Sequence, residues 1–165
     1  MDRKENPMYQ SPSPLPENAR SAVAESLQAM LLDGLDLHGQ IKVAHWNVRG
    51  PHFAALHPLF ETFAVALAGF NDEVAERAVT LGARVRGTAR SVARASRVPD
   101  YPEDATRDLD HVKLLADRID VYLRSVREAR DVAEKHGDQD TVDLLTGMVE
   151  AFEKNGWFLR ATLAA

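Results

Sequence analysis

Residues 42–76, KVAHWNVRGPHFAALHPLFETFAVALAGFNDEVAE, decide the fold of this chain. From residue 58 to residue 81 the apolar side chains recur at spacings of three, four and seven, the period of an amphipathic helix; they are Leu59, Phe63, Leu67, Phe70, Val74 and Leu81. His57 and Pro58 fall in the first turn, where proline is tolerated because its nitrogen would have no helical partner. The sequence therefore predicts one long helix that begins at Pro58 and ends near Leu81.

Two histidines and two carboxylates lie at opposite ends of this stretch. Asp72 and Glu76 are four residues apart and share a helix face, as do His57 and Glu61. Fifteen residues separate His57 from Asp72, which is about 22 Å along a helix. One metal ion cannot span that distance, since metal–ligand bonds are about 2.0–2.2 Å long. If these residues and His45 form one site, two copies of the helix must pack antiparallel about a twofold axis, so the spacing predicts a homo-oligomer.

The candidate donors are imidazole nitrogens and carboxylate oxygens, and no thiolate is available because the chain has no cysteine. Iron(II), manganese and zinc are all compatible with such a set. Open coordination positions suit redox iron better than a closed structural zinc site. Trp46, next to His45, is a near-site residue that either donates an electron or simply packs. The ordinary alternative makes His57 a helix-start residue and Asp72 and Glu76 a solvated face.

Composition narrows the class of protein. A chain of 165 residues forms one domain with its own core. The absence of cysteine suits a reducing cytoplasm. No segment reads as the run of about 20 apolar residues that a membrane span needs, so no membrane partner is expected. The net charge of −5 argues against a nucleic-acid binder driven by overall electrostatics.

Three further helical patterns flank the central one. The first runs from residue 18 to about 47, the next from Thr106, whose hydroxyl would cap it, to about residue 135, and the last from residue 138 to about 162. The connection over residues 82–102 is long for antiparallel neighbours. The sequence therefore predicts an all-α, ferritin-like four-helix bundle with one long crossover.

The crossover is basic and holds Arg84, Arg86, Arg90, Arg94 and Arg97. The four-residue spacing in its middle predicts one short helix with three small residues facing inward: Ala89, Val92 and Ala93. The arginines either form a solvated face that makes salt bridges or contact phosphate groups. The sequence favours the solvated face.

Residues 1–16 are rich in proline and serine and are predicted to be a flexible N-terminal tail, followed by the bundle domain at 17–165. The tail's charges cancel, whereas a tail that grips DNA needs surplus lysine or arginine. His38 lies seven residues before His45 on the first helix. A packed or hydrogen-bonded histidine is favoured there over a metal ligand.

The central stretch closely resembles the signature of Dps proteins (DNA-binding proteins from starved cells), the miniferritins. The matching run is KVAHWNVRG at residues 42–50, followed by Phe53, Leu56, His57, Phe60, Asp72 and the AERA of residues 75–78. The order and length of the other helices also fit, and the last helix matches at Glu153, Lys154, Trp157, Phe158 and Leu159. The resemblance covers residues 18–162.

The resemblance implies a dodecameric hollow shell built from twofold dimers. It places ferroxidase sites at the twofold interfaces, with His45 and His57 from one subunit and Asp72 and Glu76 from its partner. Glu61 matches a position that is often acidic and would bind the second, weaker iron. The implied cofactor is iron, two ions per intersubunit site, with zinc as a competitor.

The implied reaction is oxidation of iron(II), preferentially by hydrogen peroxide, with storage of iron(III) mineral and protection of DNA from oxidative damage. The family's threefold pores lie at the start of the last helix, where acidic side chains would attract cations; the candidates are Asp138, Asp140 and Asp143. Helix capping is the alternative role for Asp138.

The chain departs from the family's best-known DNA binders because its tail is neutral. DNA binding is therefore expected to be weak, in a cytoplasmic protein whose association with the nucleoid is left open. The competing hypothesis is a DNA-compacting nucleoid protein whose metal site is vestigial or holds structural zinc.

Overall fold

The computed structural model describes residues 8–164, and every regular element in that part of the chain is a helix. In chain order these are α1 (Glu17–Asn47), α2 (Phe53–Thr80), α3 (Ala89–Ala95), α4 (Asp108–Lys135) and α5 (Gln139–Leu163). The four long helices form a bundle in which α1 packs on α2 and α4, and α4 packs on α5. The predicted all-α bundle with a short helix in a long crossover is confirmed.

The core lies along the bundle axis, where the apolar stripes of the four long helices meet. Its largest side chains, all fully buried, include Phe60, Phe63, Tyr122 and Phe152. The Tyr122 and Phe152 rings meet edge to face with centroids 5.3 Å apart, which joins α4 to α5. The helical stripes read from the sequence thus face one another.

The start of α2 differs from the prediction: the helix begins at Phe53, so Pro58 lies inside it. The loop before α2 is held by a residue far away in the sequence. The Asp108 carboxylate accepts hydrogen bonds from the backbone N–H of His52 at 2.9 Å and from the ring Nδ1 of His52 at 2.8 Å. Gly50, at φ +145°, permits this approach, since a Cβ there would lie 2.5 Å from Asp108 Cγ. Because the loop is fixed, the helix starts five residues earlier than predicted. It tolerates the loss of the one backbone hydrogen bond that Pro58 cannot donate.

Polar contacts fix the end of the crossover on the bundle, and α3 also contacts α1. No residue of α3 is fully buried within the chain: Val92 is half-buried, whereas Ala89 and Ala93 are exposed, so the predicted inward packing is wrong for these two alanines. Asp33, fully buried, accepts hydrogen bonds from the Arg97 backbone N–H at 2.7 Å, the Arg97 guanidinium Nη2 at 2.7 Å and the Ser125 hydroxyl at 2.6 Å. A buried carboxylate needs such partners, so this cluster fixes where the crossover ends.

Two other helix-start predictions have opposite outcomes. The Thr106 hydroxyl does not cap α4, whose N-cap residue is Arg107 without a side-chain hydrogen bond, although Asp108 and Asp110 do occupy the first turn. The Asp138 carboxylate does cap α5, accepting a hydrogen bond from the Thr141 backbone N–H at 3.2 Å.

The predicted tail is only partly described, since residues 1–7 lie outside the described residues. Residues 8–16 form no helix. The Tyr9 backbone N–H donates to the Gly82 carbonyl at 2.7 Å, and the Ser11 hydroxyl donates to the Thr80 carbonyl at 2.6 Å. The second half of the segment is thus hydrogen bonded to the end of α2, and the flexibility of residues 1–16 stays a prediction.

The surface of α2 is unusually apolar for an outer helix. By length and composition alone, α2 is long and apolar enough to cross a membrane. Only 28% of its most apolar segment is buried within the chain. The expectation that no segment is so long and apolar is therefore wrong for α2. Phe53, Val65 and Val79 are among its exposed apolar side chains. An apolar face of this size on one helix is typical of a surface that another protein surface covers.

Candidate metal centre

His45 near the end of α1 and His57 in α2 hold each other in place. Their rings stack with centroids 3.8 Å apart. His45 Nδ1 lies 2.8 Å from the His57 carbonyl oxygen, and His57 Nδ1 lies 2.9 Å from the His45 carbonyl oxygen. Because a carbonyl oxygen only accepts hydrogen bonds, each Nδ1 must carry the proton. In the neutral form of each ring the lone pair is then on Nε2, the arrangement found in metal-binding histidines.

Glu61, one helical turn after His57, adds a carboxylate to this end. Its Oε2 lies 3.5 Å from His45 Nε2, and the Lys42 ammonium donates a hydrogen bond to the same oxygen. That hydrogen bond is the main cause of a lowered pKa for Glu61, and attraction to the nearby cation and histidines adds to it. The Glu61 carboxylate is therefore ionised at neutral pH, and a metal ion bound there must compete with the Lys42 ammonium.

Asp72 and Glu76 lie on α2 as predicted, both exposed. Asp72 lines a surface hollow of about 300 Å³ between α1 and α2, together with Leu31, Leu35, His38, Ala68, Asn71 and Ala75. Glu76 is not paired with its neighbour Arg77, whose guanidinium instead contacts Asp138 at 2.5 Å and Asp140 at 3.8 Å. Both predicted acidic ligands are thus available to an incoming group.

The predicted donors do not come together within one chain. Among residues 8–164 no three histidine, cysteine, aspartate or glutamate side chains are placed to hold one metal ion. His57 and Asp72 lie in the same unbroken helix, so about 22 Å of helix separates them. His57 and Glu61 lie near one end of α2, beside His45 of α1, and Asp72 and Glu76 lie towards the other end.

The remaining predicted residues fall into two groups. Trp46 is 68% exposed, close to the histidines in sequence, with the Lys42 ammonium 5.8 Å from its ring. Asp140 and Asp143 are exposed at the start of α5. Asp138 is only 2% exposed and pairs with Arg77, so its contacts support the capping role, whereas the pore role stays a prediction.

His38 is half-buried. Burial is the main cause of its lowered pKa, repulsion from Lys42 lowers the pKa further, and attraction to Glu61 raises it in part. The sequence favours a packed or hydrogen-bonded ring, but among the described residues no hydrogen-bond partner lies within reach of either nitrogen. Lys42 is the residue that sequence reasoning missed. Its position three residues before His45 puts both on one helix face, which was the available signal.

Comparisons with known proteins agree with this architecture. Residues 24–165 match the ferritin-like domain family. The DNA protection during starvation protein of Agrobacterium fabrum is 35% identical over 93% of this chain and 94% of its own length. Among solved structures, DpsC from Streptomyces coelicolor has a TM-score of 0.92 and 28% identity, covering 100% of this chain and 96% of its own.

A Dps protein from Vibrio cholerae, described as a member of a superfamily of ferritin-like diiron-carboxylate proteins, has a TM-score of 0.88 and 26% identity. It covers 96% of this chain and 99% of its own. These matches extend over nearly the whole bundle, including both ends of α2. The chain therefore belongs to the ferritin-like family and, within it, to the Dps miniferritins.

Proposed function

We propose that this protein is a ferroxidase and iron-storage shell that oxidises iron(II) at sites shared between subunits. The observation that carries the proposal is the reciprocal lock between His45 and His57, which leaves two Nε2 lone pairs at one end of α2. The opposite end presents two carboxylates with no ion-pair partner within the described chain, Asp72 and Glu76. Two antiparallel copies of α2 would join these halves into two equivalent sites.

The apolar face of α2 supports a second copy of the chain as the occupant. The midpoint between His57 and Asp72 falls between residues 64 and 65, so the twofold axis would pass there. Val65 is 64% exposed in the single chain and would meet its own copy at the axis. Covering these apolar side chains supplies the driving force for the dimer, and further interfaces would build the dodecameric shell of the family.

The chemistry follows from holding two iron(II) ions, the substrate, at one site. Each ion gives one electron to hydrogen peroxide, whose O–O bond breaks to leave two hydroxide ions and two iron(III) ions. Because both electrons are delivered together, no hydroxyl radical is released. His45, His57, Asp72 and Glu76 orient the first ion, and Glu61 would hold the second, which must displace Lys42. Peroxide is the preferred oxidant in this proposal, and iron(III) passes into the shell as mineral.

Exposed carboxylates at the start of α5 would supply the route for iron. Asp140 and Asp143 are placed to attract cations there, and Asp143 is the preferred pore residue. Removing iron and peroxide would protect DNA in the cytoplasm without any contact between the protein and the DNA. Zinc would compete for the same nitrogen and oxygen donors.

Anaerobic iron(II) followed by substoichiometric peroxide tests the proposal. We expect an absorbance rise that consumes two iron ions per peroxide, much faster than in protein-free buffer. Oxidation at the protein-free rate would leave the alternative of a vestigial or zinc-filled site. A variant with Trp46 replaced by phenylalanine separates electron donation from packing. Only the loss of an electron donor would change the yield of side-chain radicals formed on the protein during iron oxidation.

A second role, weak contact with DNA, has its own supporting observation. Four arginines of the crossover are exposed, and within residues 8–164 none lies within 4 Å of a carboxylate: Arg84, Arg86, Arg90 and Arg94. Arg97 alone in this segment makes the predicted salt bridges, to Asp33 and Glu128. Unpaired guanidinium groups favour phosphate contacts that weaken with salt. A gel shift at low salt tests this role, and the absence of retardation would exclude it.

A further inference from the structure

Tyr101 and His111 form a hydrogen-bonded pair that the shared centre does not use. The Tyr101 hydroxyl oxygen lies 2.6 Å from His111 Nδ1, and the two rings are nearly parallel, with their planes 11° apart. Tyr101 is half-buried in the crossover, and His111 on α4 is fully buried. A phenol at this distance from an imidazole nitrogen has a base in place to take its proton.

The direction of this hydrogen bond follows from the second ring nitrogen of His111. Within the described residues His111 Nε2 is buried and makes no hydrogen bond of good geometry. Burial lowers the pKa of His111, and two nearby carboxylates together with the Asn47 backbone raise that pKa in part. A backbone group that raises a histidine pKa is a carbonyl oxygen, which favours an N–H over a lone pair on the nitrogen that faces it. In the neutral ring Nδ1 then holds the lone pair, so the Tyr101 hydroxyl donates to it.

The chain has three tyrosines, and within the described residues Tyr101 is the one whose hydroxyl meets a base. Tyr122 is fully buried, and its hydroxyl has no hydrogen-bond partner there. Tyr9 is 54% exposed, so its side chain faces water. Loss of one electron makes a phenol O–H strongly acidic, so a buried tyrosine is oxidised readily only where a proton acceptor is already hydrogen bonded to it. Tyr101 meets this condition, and Tyr122 does not.

The Tyr101–His111 pair lies at the end of the bundle that carries the histidines of the shared centre. Asn47, whose backbone acts on His111, is the last residue of α1 and comes two residues after His45. The chain just beyond α1 is joined to the start of α4, because the Arg49 backbone N–H donates to the Thr106 carbonyl at 2.9 Å. Packed protein atoms therefore connect the pair to the histidine end of the centre, and an electron can travel through them.

We propose that Tyr101 and His111 form a redox-active pair that quenches one-electron oxidants made at the shared centre, which presupposes the ferroxidase function proposed above. A centre that holds a single iron(II) ion gives peroxide one electron, and the products are iron(III), hydroxide and hydroxyl radical. Tyr101 supplies the missing electron, so the hydroxyl radical becomes hydroxide. The phenolic proton moves to His111 Nδ1, which leaves a neutral tyrosyl radical beside an imidazolium.

Photochemical oxidation of the iron-free protein tests the pair apart from the shared centre. The oxidant is flash-generated ruthenium(III) tris-bipyridine, the background protein carries Tyr9→Phe, and transient absorption and EPR follow the tyrosyl radical. We expect a radical that Tyr101→Phe abolishes. His111→Gln keeps a hydrogen-bond acceptor but removes the base, so the radical should form about tenfold or more slowly, since a positioned base contributes about 10²–10⁴-fold. Tyr122→Phe, the matched control, loses only a hydroxyl without a partner in the described chain and should change nothing.

A tyrosyl signal that survives Tyr101→Phe, or equal rates with and without His111→Gln, would overturn the pair. Should His111→Gln fail to fold, Tyr101→Phe decides alone, because it removes a single hydroxyl.

A second experiment adds peroxide to protein with substoichiometric iron(II) and freezes it for EPR. The same Tyr101-dependent radical is expected, and its absence during fast iron oxidation would overturn the quenching role. Failure of the shared centre has a separate signature, which is iron oxidation at the protein-free rate while the photochemical signal persists.

Discussion

Replacing Val65 by glutamate should separate the subunits without unfolding them. Val65 is 64% exposed within the chain and lies on the outer face of α2, so a single bundle accepts a polar side chain there. In the proposed dimer the twofold axis passes next to it. Each introduced carboxylate would then be buried beside the same carboxylate of the other subunit. Because of the twofold symmetry, the substitution destabilises the dimer at both copies.

The size of the effect follows from burial and charge. Covering an exposed valine contributes roughly 1–2 kcal/mol per subunit, which the substitution removes. An unpaired carboxylate at an interface costs several kcal/mol, and the two like charges repel as well. A total of at least roughly 5 kcal/mol raises the dimer dissociation constant by about 10³–10⁴-fold. Val65→Ala removes only methyl groups and should weaken the dimer far less.

Sedimentation velocity at micromolar concentration measures the assembly, with far-UV circular dichroism as the check on folding. We expect Val65→Glu to be helical, smaller than the wild-type assembly and unable to accelerate iron oxidation. Leu109→Glu, at another partly exposed apolar position on α4, serves as the matched control. A Val65→Glu protein that assembles and oxidises iron like the wild type would refute the placement of the axis.

Three more outcomes follow from single side chains. Lys42→Met frees the Glu61 carboxylate, so zinc should bind roughly two- to fivefold more tightly at neutral pH by calorimetry, and unchanged affinity would mean that Lys42 does not compete. Asp72→Asn should slow peroxide-driven iron oxidation at least tenfold while the shell stays assembled on size exclusion; wild-type kinetics would place the centre elsewhere. Burial lowers the pKa of His111 below its ordinary 6.5, so the unfolded chain binds the extra proton and stability should fall as pH drops below 6.5. His111→Gln should flatten that slope in urea titrations, and an equal slope would assign it to other groups.

The sequence is sufficient where the information is local. The stripe from Leu59 to Leu81 identifies the body of α2, and the separation of fifteen positions from His57 to Asp72 is enough to keep the two halves of the proposed centre apart in one chain. The end of the first helix at residue 47 can also be predicted from the sequence. So can the end of α4, because Gly137 has the positive φ, +74°, that glycine commonly supplies just after a helix.

What the sequence could not supply are contacts between residues far apart along the chain. The start of α2 depends on Asp108, which lies 56 residues after His52. Asp138 resembles a pore residue in the sequence, but Arg77, 61 residues earlier, neutralises it in the fold. The end of the crossover is fixed by the contact between Asp33 and Arg97. Helical periodicity carries no signal for such polar pairs.

The central claim is that each metal centre takes its histidines from one subunit and its acids from another. It is tested by mixing two inactive proteins, one with His45→Ala and His57→Ala and the other with Asp72→Asn and Glu76→Gln. Random assembly at equal amounts makes half of the dimers mixed, and each mixed dimer regains one of its two centres. Iron oxidation should therefore recover to about a quarter of the wild-type rate per subunit. A mixture as inactive as its two components would contradict the claim.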